Sequence, residues 1–147
     1  IYESGKAVNE ELRSFEKVYR QFNSNWLGVC PVYGTNNTSE DEFYFNKSMD
    51  ALANPLELKH LSGLKGFESD EDVIIGYMKD GSGNPGFMVV NYNDSSWNKK
   101  VNAKMNFGDY TQAQVYRRGK KSVVDLKNGI LTLELEVGEG AFVIPCS

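Results

Sequence analysis

The sequence predicts a mainly β protein, an antiparallel β-sandwich of about eight strands preceded by one N-terminal amphipathic helix. Three observations lead there. The hydrophobic period changes from helical to alternating near residue 25, short apolar runs bounded by turn residues follow at close spacing, and no βαβ alternation appears that would signal a parallel sheet.

Residues 7–22 carry the helical pattern. Val8, Leu12, Phe15, Tyr19 and Phe22 lie four, three, four and three positions apart, which keeps them on one face. Glu10 and Glu11 sit early and Arg13, Lys17 and Arg20 sit late, the order the helix dipole favours. Asn23-Ser24-Asn25 breaks the pattern. A first strand is expected over 26–33, with Pro31 limiting it to a sheet edge. Residues 34–50 read as a long polar loop in which Phe43-Tyr44-Phe45 anchors the chain to the core. Leu56, Leu58, Leu61 and Leu64 mark an element of undetermined type.

From Val73 onward the strands are plain. Residues 73–79 run into the turn formers Asp80-Gly81-Ser82-Gly83-Asn84-Pro85, and 87–92 return as the second arm of a hairpin. Val101, Ala103, Met105 and Phe107 alternate with Lys100, Asn102, Lys104 and Asn106, the signature of a sheet with one buried face. Shorter strands follow at 112–117 and 122–126, separated by Arg118-Gly119-Lys120-Lys121. The last two strands are Leu131 to Val137 and Ala141 to Pro145, joined at Gly138-Glu139-Gly140. The expected domain plan is a connecting helix over 1–25 packed on a sandwich over 26–147, a single structural domain. The opening at Ile1, with no methionine ahead of this helix, fits a fragment of a longer chain.

Composition narrows the chemistry. The formal charge of −4 argues against a phosphate-binding surface, so no nucleic-acid partner is expected. No apolar run reaches the roughly 18 residues a membrane span needs, so no membrane partner is expected either. His60 is the single histidine, and no G-x-S-x-G motif accompanies it. Glu40-Asp41-Glu42 and Glu68, Asp70, Glu71 and Asp72 lack the calcium-loop spacing and read as solvated, as does the basic knot Arg117, Arg118, Lys120 and Lys121. Glu134 and Glu136 fall on the wet face of a strand, where nothing would set one carboxyl apart from the other as a glycosidase pair requires. Cys30 and Cys146 show no C-x-x-C spacing and read as two free thiols of a cytoplasmic protein, the alternative being one disulfide stapling a secreted interaction domain. No catalytic residue, metal or cofactor is expected. Aromatic side chains remain: there are eighteen, and Tyr92, Trp97 and Trp26 are the candidates for stacking against a carbohydrate.

The order of elements resembles the C-terminal sandwich domain that follows the catalytic TIM barrel in many bacterial glycoside hydrolases, both β-galactosidase-like and α-amylase-like. Val8-Asn9-Glu10-Glu11-Leu12 is similar to the last helix leading out of such a barrel. The run from Val73 to Tyr77 and the run from Gly86 to Tyr92 resemble its hairpin, and Leu131 to Ile144 resembles its closing strand pair, with Val137-Gly138 where family members usually carry Pro-Gly. The resemblance implies a non-catalytic accessory domain that packs on and supports an upstream catalytic barrel of the same polypeptide. The alternative is a carbohydrate-binding module using exposed aromatics. Either way the fragment itself is not expected to be an enzyme, and its parent would be a glycoside hydrolase of carbohydrate metabolism.

Overall fold

The computed structural model describes residues 26–38, 45, 55–93 and 98–146. Within them the chain forms two antiparallel sheets. The larger contains β1 (Trp26–Val32), β3 (Val73–Lys79), β4 (Pro85–Asn91), β6 (Gln112–Arg117), β7 (Lys120–Asp125) and β9 (Gly140–Cys146), in the order β1-β3-β4-β9-β6-β7. The smaller contains β2 (Gly66–Ser69), β5 (Val101–Asn106) and β8 (Ile130–Leu135), in the order β2-β5-β8. The mainly β architecture and the antiparallel pairing agree with the sequence reading. The helix expected over 7–22 lies outside the described residues.

Period-two patterning explains the two layers. Residues 101, 103 and 105 of β5 and residues 131, 133 and 135 of β8 are buried while their neighbours face water, so the small sheet offers one apolar face. Opposite it, Ile75, Phe87, Val89, Val115 and Val143 of the large sheet join the same core. At its centre Phe87, fully buried, stacks on Tyr77 with ring centroids 5.5 Å apart and meets Phe107 at 5.8 Å. Three strands cannot cover six. β7 therefore overhangs the small sheet with all its residues exposed, Val123 among them.

Nine strands form among the described residues where about eight were expected. The strand missed is β2. It is four residues long, and only Phe67 and Ser69 of it turn inward, too short an alternation to read from sequence. Leu56, Leu58, Leu61 and Leu64 belong to no strand: a 3₁₀ turn over Leu58–His60 lets Leu61 and Leu64 plug the core. The hairpin after β3 starts its return at Pro85, two residues before the expected position, because Asp80 organises the turn. Its Oδ1 accepts the Ser82 and Asn84 N–H groups, each at 2.9 Å, and its Oδ2 accepts the Asn84 side-chain amide at 3.0 Å.

Burial in this core separates positions that look alike in sequence. Phe87→Ala should lower unfolding free energy by about 3–5 kcal/mol, whereas Val123→Ala on the overhanging strand should change it by under about 0.5 kcal/mol. Urea unfolding of the two variants checks this contrast.

Candidate functional site

One end of the sandwich gathers nearly all the polar side chains that are both buried and fixed. The end of β1, the start of β3 and the end of β4 meet there, since Val32 pairs with Val73 and Val73 with Asn91. Asp72, immediately before β3, is 3% exposed. A buried carboxylate is costly unless hydrogen bonds satisfy it, and this one is satisfied. Asn37 Nδ2 donates to both of its oxygens at 2.7 Å, and the Gly34 N–H donates to Oδ1 at 2.8 Å. Backbone bonds extend the clamp: the Thr35 N–H donates to the Ser69 carbonyl and the Asn36 N–H to the Asp70 carbonyl. The two segments run so close that a side-chain carbon at Gly34 would overlap the Glu71 backbone, so the position requires glycine.

Neighbouring carboxylates are likewise engaged. Asp70 accepts the Asn102 N–H at 2.7 Å and the Asn102 side-chain amide at 2.9 Å, which ties β2 to the start of β5. Glu71 accepts from Asn36 and lies 3.5 Å from Lys99 Nζ. The expectation that Asp70, Glu71 and Asp72 are simply solvated is thus corrected. They staple the loop after β1 to the link between the two sheets. Asn91, 4% exposed, does the same across the layers: its side-chain amide donates to the carbonyls of Lys99 and Glu136, and its Oδ1 accepts from Asn93.

The basic knot is corrected for its two arginines, while Lys120 and Lys121 are exposed as expected. The β6–β7 turn passes through Arg118 and Gly119 with φ of 52° and 72°, both left-handed, a two-residue hairpin geometry that suits the twist of the flanking strands. It brings the Arg117 and Arg118 guanidiniums onto the two oxygens of Glu139, while Arg117 also donates to the Glu134 carbonyl. Burial pushes the Glu139 carboxyl up, but the Glu136 N–H and the two arginines outweigh it and hold it below the ordinary 4.5. Glu134 and Glu136 stay on the wet side, both near Lys100.

Aromatic rings sit on this framework. Phe45 is 4% exposed and packs edge-on between Tyr33, at 4.7 Å, and Tyr92, at 6.1 Å. Tyr33 and Tyr92 are 45% and 40% exposed, so each shows part of its ring to solvent. Tyr92 is where the sequence placed a stacking residue. Trp97 lies outside the described residues, and of Trp26 only the backbone at the start of β1 is described, so the three candidates are not seen together. Tyr33 was not singled out from sequence. Its signal is positional, a tyrosine just past the end of an edge strand, and only the fold brings it beside Tyr92.

The remaining candidates from the sequence lie elsewhere in the fold. His60 is exposed, and its Nδ1 accepts the Glu57 N–H in a small cap. Cys30 and Cys146 are free thiols. Their strands stand three places apart in the large sheet, roughly 14 Å at about 4.8 Å per strand, beyond the roughly 7 Å a disulfide can bridge. An open apolar cleft of about 460 Å³, lined by Cys30, Tyr33, Leu56 and Leu58 among others, adjoins the first thiol. Burial, helped by the charge of Glu57, pushes that thiol up to about 11, which leaves it protonated and a poor nucleophile near neutrality. No group of three or more His, Cys, Asp or Glu side chains able to hold a metal occurs among the described residues, and no helix among them is long and apolar enough to cross a membrane.

Comparison with protein-family models, with curated proteins and with solved structures finds no match to this chain.

Two outcomes follow from this end of the sandwich. Asp72→Ala should lower stability by about 2–4 kcal/mol, because the Gly34 N–H and the Asn37 amide lose a charged acceptor in a buried place; urea unfolding reads this directly. For Glu139 the folded carboxyl binds its proton more weakly than the unfolded one, so its contribution is complete above about pH 4.5 and fades as pH falls through the lower folded value. Glu139→Gln should then cost roughly 1–2 kcal/mol at pH 7, a modest figure because Arg118 is largely exposed. The difference from the parent should shrink below pH 4, as measured by denaturation across pH 3–7.

Proposed function

We propose that this chain is a non-catalytic accessory domain of a carbohydrate-active enzyme, and that the end bearing Tyr33 and Tyr92 is its recognition surface. The observation that carries this reading is the state of the carboxylates. Asp70, Glu71 and Asp72 are bonded to the segments that follow Tyr33 and carry Tyr92, and each already accepts hydrogen bonds or an ion pair from its own fold. A glycosidase acid and its partner need freedom to exchange protons with a bound sugar. What this end presents instead is two half-exposed tyrosine rings held in place by a buried Phe45 and ringed by asparagines. Apolar ring faces beside fixed amide donors and acceptors match the alternating apolar and hydroxyl character of a sugar ring.

The β-sandwich architecture and the resemblance to domains that follow a glycosidase barrel support the accessory role. In this reading the sandwich packs on an upstream catalytic barrel of the same polypeptide, and carbohydrate is the ligand of its loop end.

Titration with a panel of oligosaccharides, followed by nuclear magnetic resonance shifts, should move resonances of residues 33–37 and 91–93 saturably. Tyr33→Ala and Tyr92→Ala should each weaken that binding about tenfold, corresponding to about 1.4 kcal/mol. A silent panel removes the recognition role. Turnover of chromogenic glycosides that vanishes on replacing Asp70 or Glu71 would replace the proposal with an enzyme.

A further inference from the structure

The two sheets present four edge strands among the described residues, and three of them are blunted. β1 carries Pro31, a register irregularity between Trp26 and Gly28, and a backbone bond from the Leu56 N–H to the Val29 carbonyl. β2 is only four residues long. On β8 the Glu134 carbonyl already accepts from Arg117. Shortness, proline, bulges and covered carbonyls are ordinary protections of a sheet edge. β7 has none of them: it contains no glycine or proline, pairs with β6 in unbroken register over six residues, and has all six exposed. Among the described residues no backbone hydrogen bond reaches its outer side. Its guard is charge alone, Lys120 and Lys121.

The hairpin geometry fixes which groups of β7 point outward. A two-residue turn closes on a hydrogen-bonded residue pair, here Arg117 and Lys120, and bonded and non-bonded pairs then alternate along the ladder. Lys120, Ser122 and Val124 therefore direct their N–H and C=O groups to β6, while Lys121, Val123 and Asp125 turn theirs to the open side. The side chains of those same three share the face of Tyr116, the register partner of Lys121, away from the main core that holds Ala113 and Val115.

We propose that β7 pairs with β7 of a second copy of this chain, antiparallel and about a two-fold axis through Val123, so that two large sheets join edge to edge. The strand is complementary to itself in that register. Outward-bonding residues must lie opposite one another in an antiparallel pair, so Val123 meets Val123, and Lys121 meets Asp125 at both ends. Opposite charges directly across a strand pair are favourable and like charges are not. Sliding the register one way leaves Lys121 opposite Val123 with no ion pair, and sliding it the other way sets Lys121 against Lys127. A parallel pairing in the same register sets lysine beside lysine. Both charges are already held on the shared face. Lys121 Nζ lies 5.8 Å from the centre of the Tyr116 ring, and Asp125 Oδ1 accepts from Gln112 Nε2 at 3.0 Å, which leaves Oδ2 for a lysine. Val123, 56% exposed, supplies an apolar centre. The lysines that guard this edge against indiscriminate pairing thus admit one geometry, and an isologous contact of this kind closes on two copies.

This inference goes beyond the proposed function. β7 and β1 are opposite edges of the large sheet, so pairing through β7 leaves the Tyr33 end of β1 uncovered in both copies.

Sedimentation velocity of the whole chain, from micromolar to millimolar concentration, should show a reversible monomer–dimer equilibrium that weakens as salt is raised. Val123→Pro removes an N–H that points to the open side and takes no part in the β6 ladder. It should abolish the dimer while the melting temperature of the dilute monomer stays near that of the parent. Lys121→Asp and Asp125→Lys should each self-associate about tenfold more weakly. Mixed in equal amounts, the two variants should recover the parent affinity, because each then meets its opposite charge at both ends of the strand. The mixing experiment decides the matter even where Val123→Pro alters the monomer. A chain that stays monomeric throughout, a dimer that survives Val123→Pro, or charge variants that associate no better mixed than alone would each overturn the proposal.

Discussion

The buried carboxylate of Asp72 is the constraint on which one whole end of the sandwich depends. It sits where the chain leaves the small sheet for the large one, between β2 and β3, almost wholly removed from water. In such a place a charge must be met by several donors. The donors come from the segment just after β1, Gly34 and Asn37. One satisfied anion thereby ties the crossover between layers to the far end of an edge strand. Tyr33 precedes Gly34 directly, and the Tyr92 N–H donates to the Asp72 carbonyl, so both exposed rings are positioned by the same residue.

Asn91 and Glu139 complete the design with neutral and charged variants of the same device. From β4 of the large sheet the Asn91 amide reaches across to carbonyls at the small sheet, Lys99 just before β5 and Glu136 just after β8, and its backbone N–H donates to the Glu139 carbonyl. Glu139 in turn gathers two arginines delivered by a left-handed turn. Apolar burial holds the layers together but is indifferent to direction. Hydrogen bonds with defined partners at one end set which loop lies beside which, and hence what surface that end presents.

The six-to-three imbalance of the sheets has consequences at the other surfaces. It leaves β7 exposed, where Lys120 and Lys121 guard an unpaired edge. On the face away from the small sheet, Met78, Tyr116 and Phe142 form a separate apolar cluster. A sheet apolar on both faces needs layers on both sides.

The sequence by itself determined the class of the fold and the identity of most strands, because alternation over five or more residues, as in β5 and β8, has one stable outcome when one face must leave water. Turn chemistry was equally local, so both turns were legible in place but read too long: 80–85 and 118–121 were expected, and the strands resume at Pro85 and Lys120. What only the tertiary structure decided was the fate of the polar side chains. Asp70, Glu71 and Asp72 look alike in a row of acids, and whether one of them is buried depends on Gly34, Asn37 and Asn102, which lie some thirty or more positions away. The convergence of Tyr33 and Tyr92 on Phe45, the capture of Arg117 and Arg118 by Glu139, and the separation of Cys30 from Cys146 likewise follow from strand order. Strand order is a property of how two sheets close over one core, and no local stretch of this chain encodes it.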